Sequence, residues 1–389
     1  MLKLLPKHLW QFLDLKMTTK PIGVYVHIPF CLKKCNYCDF CSFPNDKISW
    51  HNDYVEMICR EIESYKGKDI AVDSIFFGGG TPSLLSEEQF HRIFSALRGS
   101  FIVAPNSEIT IEVNPKTLSA EKTLLYKNFG VNRLSIGLQS IHENETKILG
   151  RIHNYNDFLD SYRIARECGI DNINIDLMYG IPDQTMDSFA STLDTVLGLS
   201  PEHISLYGLI IEENTPFGQN ISELNLPGEE GECDMYDLAC EKLSAYGYYH
   251  YEISNYSKPG RTCKHNLKYW HNEEYIGFGL AAYSYFDGKR YGNTDNIDEY
   301  LYGNFANKDD IPVNSVDDDA YDYVMLSLRL SEGFSLKEYH ERFGVDFIKG
   351  REQVISSLIN SNLLVINRDR IFLTEKGFYV SNSILNELI

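Results

Sequence analysis

Ile22-Gly23-Val24-Tyr25-Val26-His27-Ile28-Pro29-Phe30-Cys31-Leu32-Lys33-Lys34-Cys35-Asn36-Tyr37-Cys38 is the stretch on which the rest of the chain turns. Ile22–Ile28 is rich in Val, Ile and Tyr, as a strand requires. Three thiols follow within eight residues, at Cys31, Cys35 and Cys38. Thiolate is a soft ligand suited to iron–sulfur clusters or zinc, so the three predict one metal centre. On a four-iron cube, three protein ligands leave one iron open to bind a reactant directly. Zinc is the rival. Cys35–Cys38 and Cys38–Cys41 are both C-x-x-C, so Cys41 could complete a four-thiol site.

Five more short apolar strands follow, at Val72–Phe77, Glu108–Val113, Val131–Ile136, Asn172–Leu177 and His203–Leu209. Helical patterns separate them near Asp53–Tyr65, Glu87–Leu97, Ala120–Lys127, Tyr155–Glu167 and Met186–Leu197. Ser86 followed by Glu88 and Gln89 reads as a helix start. Strand and helix in alternation predict an α/β fold with a parallel sheet, because parallel neighbours need crossover helices.

The polar residues of interest fall at strand ends. The cysteine loop follows the first strand and Gly78-Gly79-Gly80-Thr81-Pro82 the second. Glu112 and Asn114 close the third, Gln139 follows the fourth, Asp176 lies near the end of the fifth, and Tyr207 lies in the sixth. A barrel gathers all six strand ends round one mouth, whereas a doubly wound sheet concentrates sites at one switch point. Contributions from every strand favour a partial (β/α)6 TIM-like barrel.

Beyond Ile211 the alternation stops. Glu229–Tyr246 reads as a helix, and an aromatic, polar segment runs from Tyr248 to Tyr291. Asp309–Asp319 reads as an acidic linker. Tyr321–Ile389 reads as three helices and a hairpin, Leu363–Ile366 with Arg370–Leu373, which is a winged-helix-like α+β pattern. The expected organisation is an extension over 1–21, the barrel over 22–228, a ligand-side segment over 229–308 and the winged-helix-like domain over 309–389. Residues 310–389 carry 8 Lys and Arg against 13 Asp and Glu, which argues against DNA binding by that domain.

The whole chain of 389 residues carries 36 basic and 55 acidic side chains, a net of −19. That balance argues against nonspecific attraction to nucleic acid or anionic lipid. No apolar run approaches the roughly 18 residues of a membrane span. Met1–Lys20 reads either as an amphipathic surface helix or as an extension ahead of a true start at Met17. Nine cysteines with no secretion signal point to a reducing cytoplasm. Cys59, Cys168, Cys233 and Cys240 lie in helical patterns and read as core thiols, while Cys263, two residues before His265, is ambiguous.

C-x-x-x-C-x-x-C after a strand, with Tyr37 before the third cysteine, strongly resembles the radical S-adenosylmethionine (SAM) superfamily. Tyr25–Cys31, Phe77–Ser83, Glu112–Pro115, Ser135–Ser140 and Asp176–Pro182 follow the order seen in its HemN/HemW group, which holds oxygen-independent coproporphyrinogen III dehydrogenases and haem chaperones. The resemblance implies a 4Fe–4S cluster on Cys31, Cys35 and Cys38. It implies SAM contacts at Tyr25, Tyr37, Gly79, Gly80, Thr81, Glu112, Gln139, Arg151 and Asp176.

His265-Asn266-x-x-Tyr269-Trp270 matches a pattern of the chaperone branch, which implies haem contacts at His265, Asn266, Tyr269 and Trp270. Imidazole ligates haem iron, and flat aromatic faces suit a macrocycle. The bare residues taken alone favour a loop-capping His with core aromatics, and it is the resemblance that implies haem contacts. Asp39-Phe40 also resembles the chaperones, since the dehydrogenases carry a cysteine two positions after the third. The function implied is binding haem and delivering it to haem-requiring proteins, respiratory enzymes among them. Transient contact at the membrane and a homodimer stand open. The alternative is oxidative decarboxylation of coproporphyrinogen III. Cys41 fits neither branch.

Overall fold

The computed structural model describes residues 20–44, 50–305 and 311–389. The expectations for Met1–Lys20 fall almost wholly outside these residues. Six strands stand where the sequence places them: β1 Ile22–Ile28, β2 Ala71–Gly79, β3 Ile102–Val113, β4 Arg133–Gln139, β5 Ile173–Tyr179 and β6 His203–Gly208. Each is joined in parallel to the next, β1 through β6 in order. The helices between them are α1 Trp50–Glu63, α2 Glu87–Ser100, α3 Ala120–Asn128, α4 Tyr155–Glu167 and α5 Met186–Leu199. Ser86 caps α2 through a reciprocal pair with Gln89, the start signal read from the sequence.

The parallel run does not stop at six. After α6 (Gly228–Ala245), strands β7 Tyr249–Glu252 and β8 Asn255–Ser257 extend the β6 edge in antiparallel fashion. Helix α7 (Lys264–Trp270) follows, and β9 (Tyr275–Phe278) then pairs in parallel with β1. Antiparallel β10 Tyr283–Phe286 and β11 Lys289–Gly292 finish that edge. The sheet is an eleven-stranded partial barrel, ordered β11-β10-β9-β1-β2-β3-β4-β5-β6-β8-β7. The polar, aromatic segment is therefore part of the sheet on both its edges.

Outward faces of the parallel strands bury Val24, Val26, Ile75, Phe77, Ile111, Ile136 and Ile175 against the helices. The inward face is different. Barrel interiors are usually layered with branched apolar side chains, yet here Ser74, Thr110, Arg133, Ser135, Asn174, His203 and Ser205 point inward and are buried. Buried polar groups need partners: Asn174 bonds Ser135, His203 and Ser205, and Ser74 bonds His265, whereas Thr110 Oγ1 and Arg133 Nε have no hydrogen-bond partner among the described residues.

The C-terminal residues form their own apolar cluster around Phe334, Tyr339, Phe347, Leu364 and Ile371. The hairpin pairs β13 Leu364–Asn367 with β14 Arg370–Leu373, and the short β12 (Phe334–Ser335) adds a third strand. The acidic stretch corrects the sequence reading. Ser315 caps α8 (Val316–Ser327), and Asp317, Asp318 and Asp319 form its first turn, where the helix dipole favours carboxylates. Cys59 is buried as expected, but Cys233 is exposed, and Cys168 and Cys240 are half-buried. No helix among the described residues is long and apolar enough to cross a membrane.

Candidate functional site

The cysteine loop leaves β1 through Pro29 and closes on itself. Phe30–Cys31 pairs with Phe43–Pro44, and the Phe43 N–H donates to the Pro29 carbonyl at 2.6 Å. Asn36 ties the middle of the loop to the next wall: its backbone N–H donates to the Leu149 carbonyl and its side-chain amide to that of Ile148. His27 Nε2 donates to the Cys41 carbonyl at 2.8 Å, and His27 Nδ1 faces the Tyr25 hydroxyl. The loop is thus held from β1 at one side and from Ile148 and Leu149 at its middle, and none of these bonds uses a thiol.

The three thiols differ in their neighbours. Thr81 Oγ1 lies 3.7 Å from Cys31 Sγ, and Arg151 Nη1 lies 3.7 Å from Cys35 Sγ. Burial pushes the Cys31 and Cys38 thiols up. Among the described residues no three His, Cys, Asp or Glu side chains close around a single ion. Cys41 Sγ turns away toward the Asp295 carbonyl, which leaves it out of the set.

The glycine loop lies directly against the cysteine loop. Gly79 has φ +105°, and a Cβ there would stand 2.5 Å from the His27 ring. At Gly80 it would stand 2.7 Å from the Phe30 carbonyl oxygen and 2.9 Å from that of Ile28. Two backbones meet here with no room for a side chain. The Gly79 N–H donates to Glu112 at 3.1 Å, and Asn114 donates to Thr81 Oγ1 at 2.6 Å.

These elements surround one cavity of about 510 Å³, a size suited to a cofactor. Tyr37, Gly79, Gly80, Thr81, Glu112, Gln139, Arg151 and Asp176 line it together with Cys31, Cys35 and Cys38. Tyr25 lies one layer deeper, against Gly78 and the Phe76 and His265 rings. Gln139 reaches the wall at φ +71°, an unusual conformation outside glycine. The Arg151 guanidinium is held by Asn114 Oδ1 and the Gly137 carbonyl, both at 2.8 Å.

Two carboxylates set the electrostatics. Burial, reinforced by Asp176, pushes Glu112 up to about 8. Burial also raises Asp176, while donation from Asn174 at 2.7 Å and the charge of Arg133 pull it back. Arg133, fully buried below the cavity, was not singled out from the sequence. Its signal is the alternation Arg133, Ser135, Gly137 along β4, which places a cation on the inward face.

The structure does not bring His265, Asn266, Tyr269 and Trp270 to this cavity. Helix α7 closes the other end of the bore, at the start of β1 and β2. His265 is buried, with Nδ1 3.0 Å from Ser74 Oγ and Nε2 2.7 Å from the Tyr269 hydroxyl. Its ring stacks near those of Phe76 and Tyr25, and burial lowers its pKa to about 3. Both ring nitrogens are therefore committed inside the barrel. Lys268 pins the helix through Asp73, Glu273 and the Pro21 carbonyl. Cys263, left ambiguous by sequence, is buried with Sγ 3.6 Å from Glu108.

Residues 25–196 match the family model of the radical SAM superfamily, and residues 314–380 match that of the HemN C-terminal domain. The chain is 35% identical to the heme chaperone HemW of Lactococcus lactis, across 96% of this chain and 98% of that protein. It is 34% identical to HemW of Bacillus subtilis, across 94% and 99%. Among solved structures, coproporphyrinogen III oxidase (HemN) from Escherichia coli superposes with a TM-score of 0.83 at 22% identity, covering 97% of this chain and 93% of that one. The chain belongs to the radical SAM superfamily and, within it, to the HemW family. Membership in the superfamily implies a 4Fe–4S cluster and SAM, and the spaced thiols and glycine cradle fit both.

Proposed function

We propose that this protein is a haem chaperone. Cys31, Cys35 and Cys38 hold a 4Fe–4S cluster, the cavity holds SAM, and the chain binds haem and delivers it to haem-requiring acceptors, respiratory enzymes among them. The observation that carries the reading is similarity to curated haem chaperones over nearly the whole of both chains. Two features of the site support it. Phe40 stands where the dehydrogenases carry a cysteine. Phe40 and Ile210 are also 67% and 72% exposed on the cavity rim, and apolar side chains left open around a cavity suit a flat apolar cargo.

When bound, the cluster supplies an open iron and single-electron chemistry that belongs to the cofactor. The chain's own residues supply shape and charge. Arg151 offers a fixed guanidinium fork for a carboxylate, and Gly79 and Gly80 let the backbone approach a ligand closely. Glu112 accepts from the Gly79 N–H and faces the cavity as a carboxyl group that a bound cation would ionise. Delivery to a membrane-bound acceptor would use transient contact at the membrane surface.

His265 enters this reading as part of the barrel's closure. For its imidazole to ligate haem iron, α7 would have to leave the bore. Haem titration of His265→Ala is expected to leave affinity and the haem absorption spectrum unchanged, and loss of the spectrum would restore His265 as a ligand. The function itself is tested by anaerobic purification with iron, sulfide and haem quantified on one sample, followed by haem transfer to an apo-acceptor. Conversion of coproporphyrinogen III to protoporphyrinogen IX at useful rates would replace the chaperone reading with the dehydrogenase.

A further inference from the structure

The bore carries a hydrogen-bond chain whose direction is fixed by chemistry. The Asn174 amide nitrogen donates to Asp176 Oδ1 at 2.7 Å, and its carbonyl oxygen faces His203. That carbonyl accepts from His203 Nδ1 at 2.6 Å, which makes Nδ1 the protonated nitrogen. Burial and the nearby Arg133 hold His203 neutral, so its bare Nε2 accepts from the Tyr251 hydroxyl at 2.8 Å. The Tyr251 oxygen in turn accepts from the Cys263 N–H at 3.2 Å. Every donor in the series points toward Asp176.

Tyr251 is also where the C-terminal domain meets the sheet. The Ser331 N–H donates to the Tyr251 carbonyl at 3.1 Å, and Glu252 bridges Leu330 in antiparallel fashion. The segment linking these elements, 251–263, leads straight into α7.

We propose that Tyr251 and His203 are positioning residues for the SAM cavity, acting through Asn174 to aim and charge Asp176, so that the docked C-terminal domain and the start of α7 set the cavity floor. This rests on the reading that Asp176 contacts SAM. Cooperative chains polarise their members, so cutting the outer link leaves His203 Nε2 without a donor and weakens the donation reaching Asp176. The titratable and charged groups facing Asp176 are Glu112 on β3, Arg133 on β4, Arg151, Tyr37 and Tyr207. None of them belongs to the chain of donors, so none replaces a lost link.

The test is SAM affinity, measured by calorimetry on anaerobically reconstituted full-length protein between pH 6 and 8. Tyr251→Phe removes one hydroxyl and is expected to weaken SAM binding roughly three- to tenfold, as for one buried hydrogen bond. Its loss should deepen as pH falls, because a less solvated Asp176 protonates at higher pH. Tyr248→Phe, which removes a buried hydroxyl bonded to the Pro201 carbonyl at 2.6 Å, should bind SAM as the parent does at every pH. Asp176→Asn separates the two readings. If it binds SAM normally, Asp176 is not a SAM contact and the underlying reading fails. If it binds poorly while Tyr251→Phe matches the parent at every pH, the positioning inference alone is overturned.

Discussion

Replacing Gly80 by alanine tests the packing on which the cluster loop depends. The added Cβ would lie 2.7 Å from the Phe30 carbonyl oxygen, and 2.9 Å from both the Ile28 carbonyl oxygen and the Phe30 nitrogen. All three are backbone atoms, so no side chain can swing aside. Ordinary contact needs a retreat of roughly 0.5–1 Å, against strands whose register runs unbroken from Gly23–Ser74 to Ile28–Gly79. Overpacking of this kind costs about 1–3 kcal/mol. Stretching the Gly80 N–H bond to the Ile28 carbonyl, 2.8 Å here, adds roughly 1 kcal/mol. The expected loss of stability is therefore about 2–4 kcal/mol.

Phe30 precedes Cys31, so the same retreat moves the first thiol and lowers iron and sulfide content after anaerobic reconstitution. Denaturant unfolding of the ligand-free protein reads the first effect, and iron and sulfide per chain read the second. Gly99→Ala is the control. It lies exposed in α2 with nothing within 4 Å of the new Cβ, and should stabilise by up to about 1 kcal/mol. A Gly80→Ala protein with parental stability and full iron would refute the close approach of these two loops.

Three further outcomes follow from the site. Arg151→Lys keeps the charge but loses the fork that binds Asn114 and the Gly137 carbonyl, and should weaken SAM binding roughly 10- to 100-fold by calorimetry. Cys41→Ser should leave iron and sulfide content at the parental level, while alanine at Cys31, Cys35 or Cys38 abolishes it. Glu112, raised to about 8 from an ordinary 4.5, is protonated at pH 7 in the folded, ligand-free protein and ionised in the unfolded chain. Its contribution to stability is therefore complete below about pH 4.5 and is lost as pH rises through about 8. A cationic ligand ionises it, so SAM binding at pH 7 should release a proton, seen as a buffer-dependent calorimetric enthalpy that Glu112→Gln abolishes.

The first six strands are legible in sequence because their Val, Ile and Phe face helices outside the barrel, where burial demands them. The seventh parallel strand is not legible. Tyr275–Phe278 is four residues long, contains Gly277, and is set among Asn272, Glu273 and Glu274, so local propensity says little. Its place is decided by pairing with β1, some 250 positions away in the chain. The hairpin of the C-terminal domain shows itself through the Asn367-Arg368-Asp369 turn, with Arg368 at φ +54°, whereas two-residue β12 leaves no periodicity to read. On the site side, every lining residue named from the motifs reaches the cavity except Tyr25, which supports it from beneath.

The His-Asn-x-x-Tyr-Trp segment shows what residue types alone leave open. His265 and Tyr269 are four positions apart, so a helix stacks them on one face, 5.0 Å between ring centroids. That spacing serves a haem face and a buried plug equally well. What separates the two is whether the bore beneath is apolar, and that depends on inward positions spread over five strands. Here the bore holds Arg133, Glu108, Asn174 and His203. A polar bore costs stability unless each member is satisfied, and a helix offering an imidazole to Ser74 and a backbone N–H to Glu108 supplies partners that an apolar plug would lack. The demand for those residues at the closed end of the barrel comes from the barrel's own interior.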